Sequence, residues 1–150
     1  MARPRLLTLV VFGIAIAVIS TLAEAKSKTI HVTARIVQQT FIGDQANPQL
    51  GDRIISNVEL LDESGIVVGT GGGACTVVSV PPLDTLIECL LTAVFAEGQI
   101  IFGGMAPPPA VGATAHFGIM GGTDDFREAR GEATLVVTSA EFQDATFAID

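Results

Sequence analysis

Apolar and polar residues alternate along most of the chain after the first 25 residues, and Gly, Pro, Asn and Asp separate the alternating segments. A period of two places every second side chain on one face of an extended strand, so this pattern predicts β-strands. Beyond residue 25, no segment keeps a helical period over three turns. We therefore predict about eight strands, at residues 29–37, 52–61, 66–80, 86–95, 99–105, 113–120, 132–138 and 141–149.

Turn sequences connect these strands. Residues 62–65 (Asp-Glu-Ser-Gly) and 97–98 (Glu-Gly) are typical of tight turns, and the three prolines at 107–109 predict an exposed, extended loop. The glycines within residues 69–73 predict a bulge or a sharp coil in the third strand.

Short antiparallel strands in one domain either stack as a sandwich or close into a barrel, because long apolar edges left open invite aggregation. The 150-residue chain has room for one domain of ordinary size, and 49% of its residues are hydrophobic, which is ample for one core. The strand pattern leaves both architectures open. A closed barrel of about eight strands has an interior that is packed or just wide enough for one small ligand.

The N-terminal segment has the layout of a secretory signal peptide. Two arginines within the first five residues precede the uncharged apolar run 6–19, and Ala23 and Ala25 are the small residues that a signal peptidase reads. A membrane anchor is the alternative, but the run is shorter than the roughly 20 residues that cross a bilayer. We predict a signal peptide at 1–25 and a secreted or periplasmic domain at 26–150 that does not span the membrane after cleavage.

The charge of the chain excludes some partners. Of its 8 basic and 16 acidic residues, two arginines and one glutamate lie in the predicted signal, so the mature chain has 6 bases, 15 acids and a net charge of −9. Nucleic acid is not an expected partner, because phosphate binding needs clustered Lys and Arg. Tyr and Trp are absent, which also removes the usual stacking platforms for bases.

Cys75 and Cys89 are the only cysteines, and export implies an oxidising compartment. They lie symmetrically about residues 80–84, a hairpin connection, so a regular hairpin brings them face to face at a distance that a disulfide can bridge. Two buried free thiols, or one reactive pocket thiol, are the alternatives. A metal site is not expected, since His31 and His116 complete no ligand spacing typical of zinc.

The polar segment 121–131 (Gly-Gly-Thr-Asp-Asp-Phe-Arg-Glu-Ala-Arg-Gly) is bracketed by glycines and lies between two predicted strands. It holds Arg127 and Arg130, two of the few basic residues of an acidic chain. One interpretation is a surface loop whose arginines pair with the neighbouring acids, Asp124, Asp125 and Glu128. The other is a functional loop, in which the guanidinium of Arg130 stabilises developing negative charge or anchors a carboxylate.

Two further titratable residues are candidates. His116 lies in a strand of small and apolar residues and either serves as an acid or base near a ligand or is merely hydrogen-bonded. Glu88 is a candidate acid with a raised pKa if its face of the strand points inward, and a solvated charge if it points outward. No Ser-His-Asp order or phosphate-binding loop stands out, since the glycine run 69–73 lacks the lysine and helix that phosphate binding requires.

Several segments bear a family resemblance. Residues 51–52 (Gly-Asp), 60–62 (Leu-Leu-Asp), Gly69 and 73–78 (Gly-Ala-Cys-Thr-Val-Val) resemble the corresponding strands of plant allene oxide cyclases. Residues 121–131 resemble the Gly-Gly-Thr-Gly-x-Phe-Arg-x-Ala-Arg-Gly segment of dirigent proteins. The two families share an eight-stranded barrel, and the resemblance extends from about residue 51 to the C-terminus. It implies an all-β fold with a single closed antiparallel barrel of about eight strands.

The resemblance also implies a function. Allene oxide cyclases turn an unstable fatty-acid epoxide into a cyclopentenone, and dirigent proteins steer the coupling of phenoxy radicals, both without a cofactor. We therefore expect a cavity that binds a hydrophobic, lipid-derived or phenolic small molecule, opens near residues 121–131, and steers cyclisation or coupling in an isomerase-like or dirigent-like manner. A homo-oligomer, specifically a trimer, is implied as well. The alternative is a structural or envelope-associated barrel with a filled core that catalyses nothing.

The resemblance assigns candidate site residues. Cys75 matches a cysteine that lines the cyclase pocket, and an ungapped match places Val58, with Asn57 one step away, at the position of a pocket asparagine. The first-strand glutamate of the cyclases has no counterpart in residues 29–40, and the tyrosines of dirigent pockets are missing. The catalytic candidates match the late dirigent loop: Arg127, Arg130, Asp124 and Asp125.

Overall fold

The computed structural model of the protein describes residues 27–150, so the signal peptide predicted at 1–25 lies outside the described residues. The described chain forms eight strands and one short 3-10 turn. The strands are β1 (Lys28–Ile42), β2 (Arg53–Leu61), β3 (Val67–Ser79), β4 (Leu86–Phe95), β5 (Gly98–Ala106), β6 (Thr114–Gly122), β7 (Gly131–Val137) and β8 (Phe142–Ile149). The 3-10 turn, Asp124–Phe126, lies between β6 and β7.

The eight strands form one closed antiparallel barrel. Each strand pairs with the next along the chain, and β1 closes the sheet against β8 over Lys28 to Arg35. Closure leaves no long unpaired edge in the sheet. The predicted barrel is confirmed, and the sandwich that the strand pattern also allowed is not formed.

Alternation decides which side chains enter the barrel. On β2, for example, Ile54, Ser56, Val58 and Leu60 line the interior, whereas Ile55 is exposed on the outer surface. This is the period of two that the sequence shows, and it sends one face of every strand to the core.

The antiparallel path gives the barrel two distinct ends. The connections 43–52, 80–85, 107–113 and 138–141 lie at one end, and the connections 62–66, 96–97 and 123–130 lie at the other. We call the first the open end and the second the closed end.

A phenylalanine cluster fills the barrel toward the closed end. The rings of Phe102 and Phe147 meet edge to face with 5.2 Å between centroids, and Phe95 packs on Phe147 at 6.2 Å. Phe126, from the 3-10 turn, adds a fourth ring 6.1 Å from Phe95 and is only 3% exposed. The connection between β6 and β7 therefore places an aromatic plug over this end.

The first strand is longer than its sequence predicts. It was expected to end at Val37 but continues to Ile42, because the pairing with β2 skips one residue between Ile36 and Gln38. Such a bulge leaves one extra residue unpaired and reverses the faces of the residues that follow. As a result Gln39 points into the barrel, which simple alternation from Ile36 does not predict.

The bulge predicted within residues 69–73 is wrong in position. The pairing of β3 with β4 is continuous from Gly69 to Val77, and the irregularity toward β2 falls at Val68, between the pairs Leu60–Gly69 and Leu61–Val67. Gly71 instead faces the interior, where an added Cβ would come within 3.1 Å of Val58 Cγ2. The glycine run therefore allows close packing of β3 against its neighbours, since a side chain at Gly71 would crowd Val58.

Candidate functional site

The half of the barrel nearer the open end is hollow. It contains a cavity of about 130 Å³, the inner chamber, whose walls are mostly aliphatic and aromatic. Its floor is formed by the phenylalanine cluster, in particular Phe102 and Phe147, and its sides by small and branched residues such as Ala93, Ala115 and Val58. A water molecule needs about 10–15 Å³ by the same kind of measure, so the chamber is far larger than a packing defect.

A second, wider cavity of about 420 Å³, the vestibule, lies outside the chamber at the open end. The connection 107–113 contributes Pro109, Ala110 and Val111 to it, and the connection 138–141 contributes Ser139 and Ala140. Pro109 therefore lines a cavity as well as belonging to an exposed loop.

The two cavities share six residues, which we call the neck: Ile36, Gln39, Ile54, Pro109, Val137 and Gln143. Residues that line both cavities mark the place where the two cavities adjoin. Four of the six are apolar, and the two glutamines are the polar members.

The glutamines come from neighbouring strands. Gln39 lies on β1 after the bulge and donates a hydrogen bond from Nε2 to Ser56 Oγ on β2, at 3.1 Å. Gln143 lies on β8, where it pairs with Ala34 of β1 and is half-buried. Gln39 is exposed and Gln143 half-buried, so both amides lie at the rim of the chamber.

The site is electrically neutral. Among residues 27–150, none of the side chains that line the chamber or the vestibule belongs to Asp, Glu, Lys, Arg or His. An apolar wall with a few neutral polar groups is typical of small-molecule sites. The arrangement is suited to bind and orient a guest, and it offers no ionisable side chain for proton transfer within the cavity.

The predicted disulfide is confirmed. Cys75 on β3 and Cys89 on β4 lie directly opposite each other, as the symmetric hairpin required, and they form a disulfide. Both residues line the inner chamber. The alternatives of free buried thiols or a reactive pocket thiol are therefore excluded for this structure.

The structure separates Val58 from Asn57. Val58 lies in the chamber wall, whereas the side chain of Asn57 is exposed on the outer surface, where its Nδ2 donates to Gln38 Oε1 at 3.4 Å. No bulge intervenes on this part of β2, so adjacent residues point to opposite faces. Of the predicted ligand-binding residues, Cys75 and Val58 are brought together at the cavity, and Asn57 is not.

The late-loop candidates lie at the closed end. The expectation that the cavity opens near residues 121–131 is wrong, because Phe126 in that segment turns inward and seals the barrel. Apart from this ring and Ala129, the loop side chains face solvent, including the four catalytic candidates: Asp124, Asp125, Arg127 and Arg130. None of these four lines the inner chamber.

Arg130 forms hydrogen bonds that neither interpretation of the sequence predicted. Its guanidinium Nη1 donates to the carbonyl oxygens of Met120 at 3.1 Å and of Ala129 at 2.7 Å. The ion pairs found within residues 27–150 are Arg35–Glu59 and His116–Glu132, so the expected pairing with the neighbouring acids of the loop does not occur there. Arg130 holds the loop by capping backbone carbonyls.

His116 and Glu88 both lie on the outer surface. His116 Nδ1 is 3.0 Å from Glu132 Oε1 on the adjacent β7, with Thr134 Oγ1 close by at 3.4 Å. The hydrogen bond from His116, and after it that from Thr134, holds the pKa of the Glu132 carboxyl below its usual value. Glu88 is exposed, opposite in face to the buried Cys89, so the solvated-charge interpretation applies. Neither residue reaches the chamber.

Sequence reasoning missed the polar residues of the chamber wall, which are Gln39, Ser56, Thr92, Thr114 and Gln143. Ser56 and Gln143 were detectable in principle, since each occupies an inward position of its strand, in phase with apolar neighbours such as Val58 and Ala145. Gln39 was not, because the bulge that turns it inward leaves no mark in the hydrophobic pattern.

Two kinds of feature are absent from residues 27–150. No three or more His, Cys, Asp and Glu side chains cluster closely enough to hold a metal ion. The same residues contain no helix with the length and apolar character to cross a membrane.

The fold and cavity define a class: a single-domain, eight-stranded up-and-down barrel with a neutral internal chamber open at one end. The sequence gives the family. Residues 28–149 match the allene oxide cyclase barrel like domain, and the chain belongs to this family. A comparison with curated proteins finds no match.

Solved structures share the fold. A pyocyanin demethylase is 24% identical with a TM-score of 0.73, and the match covers 82% of this chain and 100% of that one. An exo-specific intermolecular Diels–Alderase is 18% identical with a TM-score of 0.71, covering 82% of this chain and 97% of that one. A heme-binding cyclase that catalyses [4 + 2] cycloaddition in neoabyssomicin biosynthesis is 15% identical with a TM-score of 0.69, covering 82% and 64%. At these identities the likeness establishes the shared barrel.

Proposed function

We propose that this barrel binds one hydrophobic small molecule in the inner chamber and vestibule and steers its cyclisation by holding it in a reactive conformation. The observation that supports the proposal is a preformed, uncharged chamber of about 130 Å³ that adjoins, at the neck, a vestibule of about 420 Å³. Ligand sites of drug-sized molecules usually measure roughly 300–1,000 Å³. The chamber alone is close to the roughly 150 Å³ apolar cavity that is known to take up benzene.

The chemistry of the walls favours steering over acid–base catalysis. Since no ionisable side chain of the described residues lines the cavity, the proposed contribution to rate is orientation, which can amount to about 7–11 kcal/mol in well-aligned intramolecular reactions. Cycloadditions need no proton transfer, and two structural relatives are described as catalysts of such reactions. An isomerase-like or cyclase-like activity without a cofactor is consistent with this arrangement.

We further propose that the protein is exported and forms a homo-oligomer, in the first place a trimer. Export is supported by the signal-like N-terminal sequence and by the disulfide, a feature of oxidising compartments. Association is supported by an apolar line across the outer face of β2 to β6, formed by paired residues: Ile55, Ala74, Leu90, Gly103 and Gly118. N-terminal sequencing of the exported chain tests export, and light scattering of the purified protein tests the oligomeric state.

Calorimetric titration with butylbenzene tests binding. The phenyl ring matches the chamber in size, so we expect saturable 1:1 binding to the wild-type protein. Ala115→Leu adds three carbon atoms to the chamber wall and should weaken binding at least tenfold. Ala148→Leu makes the same change on the exposed outer face of β8 and should leave binding unchanged.

The competing function is a structural barrel that binds nothing. It predicts no saturable heat with butylbenzene and no co-purifying compound in native mass spectra of protein isolated from its source. Binding that is equal in wild type and in Ala115→Leu also contradicts the proposal, because the ligand would then occupy another surface.

A further inference from the structure

The two glutamines of the neck are placed to recognise a polar group at one end of a guest. Gln39 and Gln143 line both cavities, whereas the floor of the chamber is made of phenylalanine rings. A molecule that fills the chamber therefore has an apolar environment at its inner end and two amides near its outer end.

The amides retain hydrogen-bonding capacity for such a group. The bond from Gln39 Nε2 to Ser56 Oγ uses one of the two Nε2 hydrogens, and the second hydrogen and the Oε1 acceptor remain. Gln143 contributes a second amide from the strand on the other side of β1. Together they offer donors and acceptors, which suits a carbonyl, an amide or a hydroxyl.

The surroundings oppose a charged group. No Lys, Arg or His among the described residues lines the cavities to pair with a carboxylate or phosphate, and the chain carries a net charge of −8. An anion held at the neck would lose part of its hydration without gaining a counter-charge, which disfavours its binding. A cation likewise finds no carboxylate in the cavity walls of the described chain.

We propose that the guest is an uncharged amphipathic molecule, with a hydrocarbon or aromatic end in the inner chamber and a carbonyl, amide or hydroxyl held at the neck by Gln39 and Gln143. This inference rests on the proposed binding function and specifies its ligand class. It assigns the bulge in β1 a role, because the bulge is what turns Gln39 inward.

Three ligands with the same phenylpropyl part test the inference: butylbenzene, 4-phenylbutanamide and 4-phenylbutanoate. The amide and the carboxylate differ in charge but hardly in size. In calorimetric titrations at pH 7 we expect the amide to bind at least tenfold more tightly than the carboxylate. Its affinity should also exceed the affinity expected from its phenylpropyl part alone.

Two variants identify the residues. Gln39→Leu and Gln143→Leu each remove one amide while keeping volume, and each should weaken binding of 4-phenylbutanamide about three- to tenfold while butylbenzene binds as before or more tightly. Gln38→Leu is the matched control. Gln38 directly precedes Gln39 on β1, is exposed, and accepts a hydrogen bond from Asn57 on the outer surface. Butylbenzene binding shows whether the chamber of each variant is intact, so a variant that no longer binds it is recognised as misfolded. In that case the comparison of the amide with the carboxylate on the wild-type protein still tests the ligand class.

The outcomes separate the two proposals. If none of the three ligands binds, the binding function itself fails. If butylbenzene binds but the carboxylate binds as tightly as the amide, the function stands and the uncharged ligand class is wrong. If both glutamine variants keep the wild-type ratio of amide to butylbenzene affinity, recognition at the neck is wrong.

Discussion

Cys75 and Cys89 face each other across the β3–β4 pair and are joined by a disulfide that forms part of the chamber wall. The bridge links residues 14 positions apart in sequence, so it closes a loop that contains the whole connection 80–85. A covalent staple at this place fixes the register of two strands that shape the cavity.

Replacing both cysteines by alanine should lower the free energy of unfolding by about 3 kcal/mol. The estimate follows from the chain entropy that a loop of this length loses when it is cross-linked. Urea denaturation of the oxidised wild type and of the double variant measures the difference. The non-reduced wild-type chain should also be two hydrogens lighter than the reduced chain, and two titratable thiols in the native protein would contradict the bridge.

The plug at the closed end gives a second prediction. Phe126→Ala should lower the free energy of unfolding by about 3–5 kcal/mol, because it removes a buried ring that packs on Phe95 and lies under the Lys28 ammonium at 5.0 Å. Arg127→Ala, one residue further along the same loop, should change it by less than about 0.5 kcal/mol, since Arg127 is exposed. Equal effects of the two changes in urea denaturation would refute the sealing role of Phe126.

The sequence predicted the architecture better than the site. Strand alternation and turn residues located all eight strands, and the cysteine spacing predicted a register that the sheet confirms. Two features could not be predicted from the sequence, because they depend on packing against other parts of the chain. One is the bulge at Val37, which turns Gln39 inward. The other is the inward turn of Phe126, through which a polar segment closes one end of the barrel. The outward face of His116 follows from alternation, since its neighbours Ala115 and Phe117 both line the chamber.

Gly131, the last residue of the segment 121–131, has a backbone conformation that favours glycine. Gly131 has a φ of 127°, and a Cβ at this residue would overlap the carbonyl oxygen of Ala148 on β8. We expect Gly131→Ala to lower the free energy of unfolding by about 2–4 kcal/mol, from strain at positive φ together with displacement of the strand pair.

Gly118 provides the matched control for this change. It lies on β6, and an added Cβ there meets no atom within 4 Å. Gly118→Ala should therefore be neutral or stabilising by up to about 1 kcal/mol, because alanine restricts the unfolded chain. The prediction fails if thermal or urea unfolding ranks the two variants in the opposite order.

The lowered pKa of Glu132, on the outer surface, can be tested. The hydrogen bond from His116, with a smaller one from Thr134, keeps the pKa of Glu132 below its usual value. A carboxyl whose pKa is lower in the folded state contributes stability above the pKa of the unfolded chain, and this contribution is lost as the pH falls through the folded pKa. Because Glu132 is exposed, the change in stability should be small, and the pKa itself is the better measurement.

Carbon-detected NMR titration of the Glu132 side-chain carboxyl measures this pKa directly. His116→Ala should raise the Glu132 pKa toward its ordinary value, and Thr134→Val should raise it less, since His116 is the larger cause. His31→Ala is the control. His31 lies on β1, where its Nδ1 is 3.0 Å from Thr146 Oγ1 of β8, and it has no hydrogen bond with Glu132. A Glu132 pKa that is the same in wild type and in His116→Ala would show that solvent, and not the imidazole, determines the ionisation of this carboxyl.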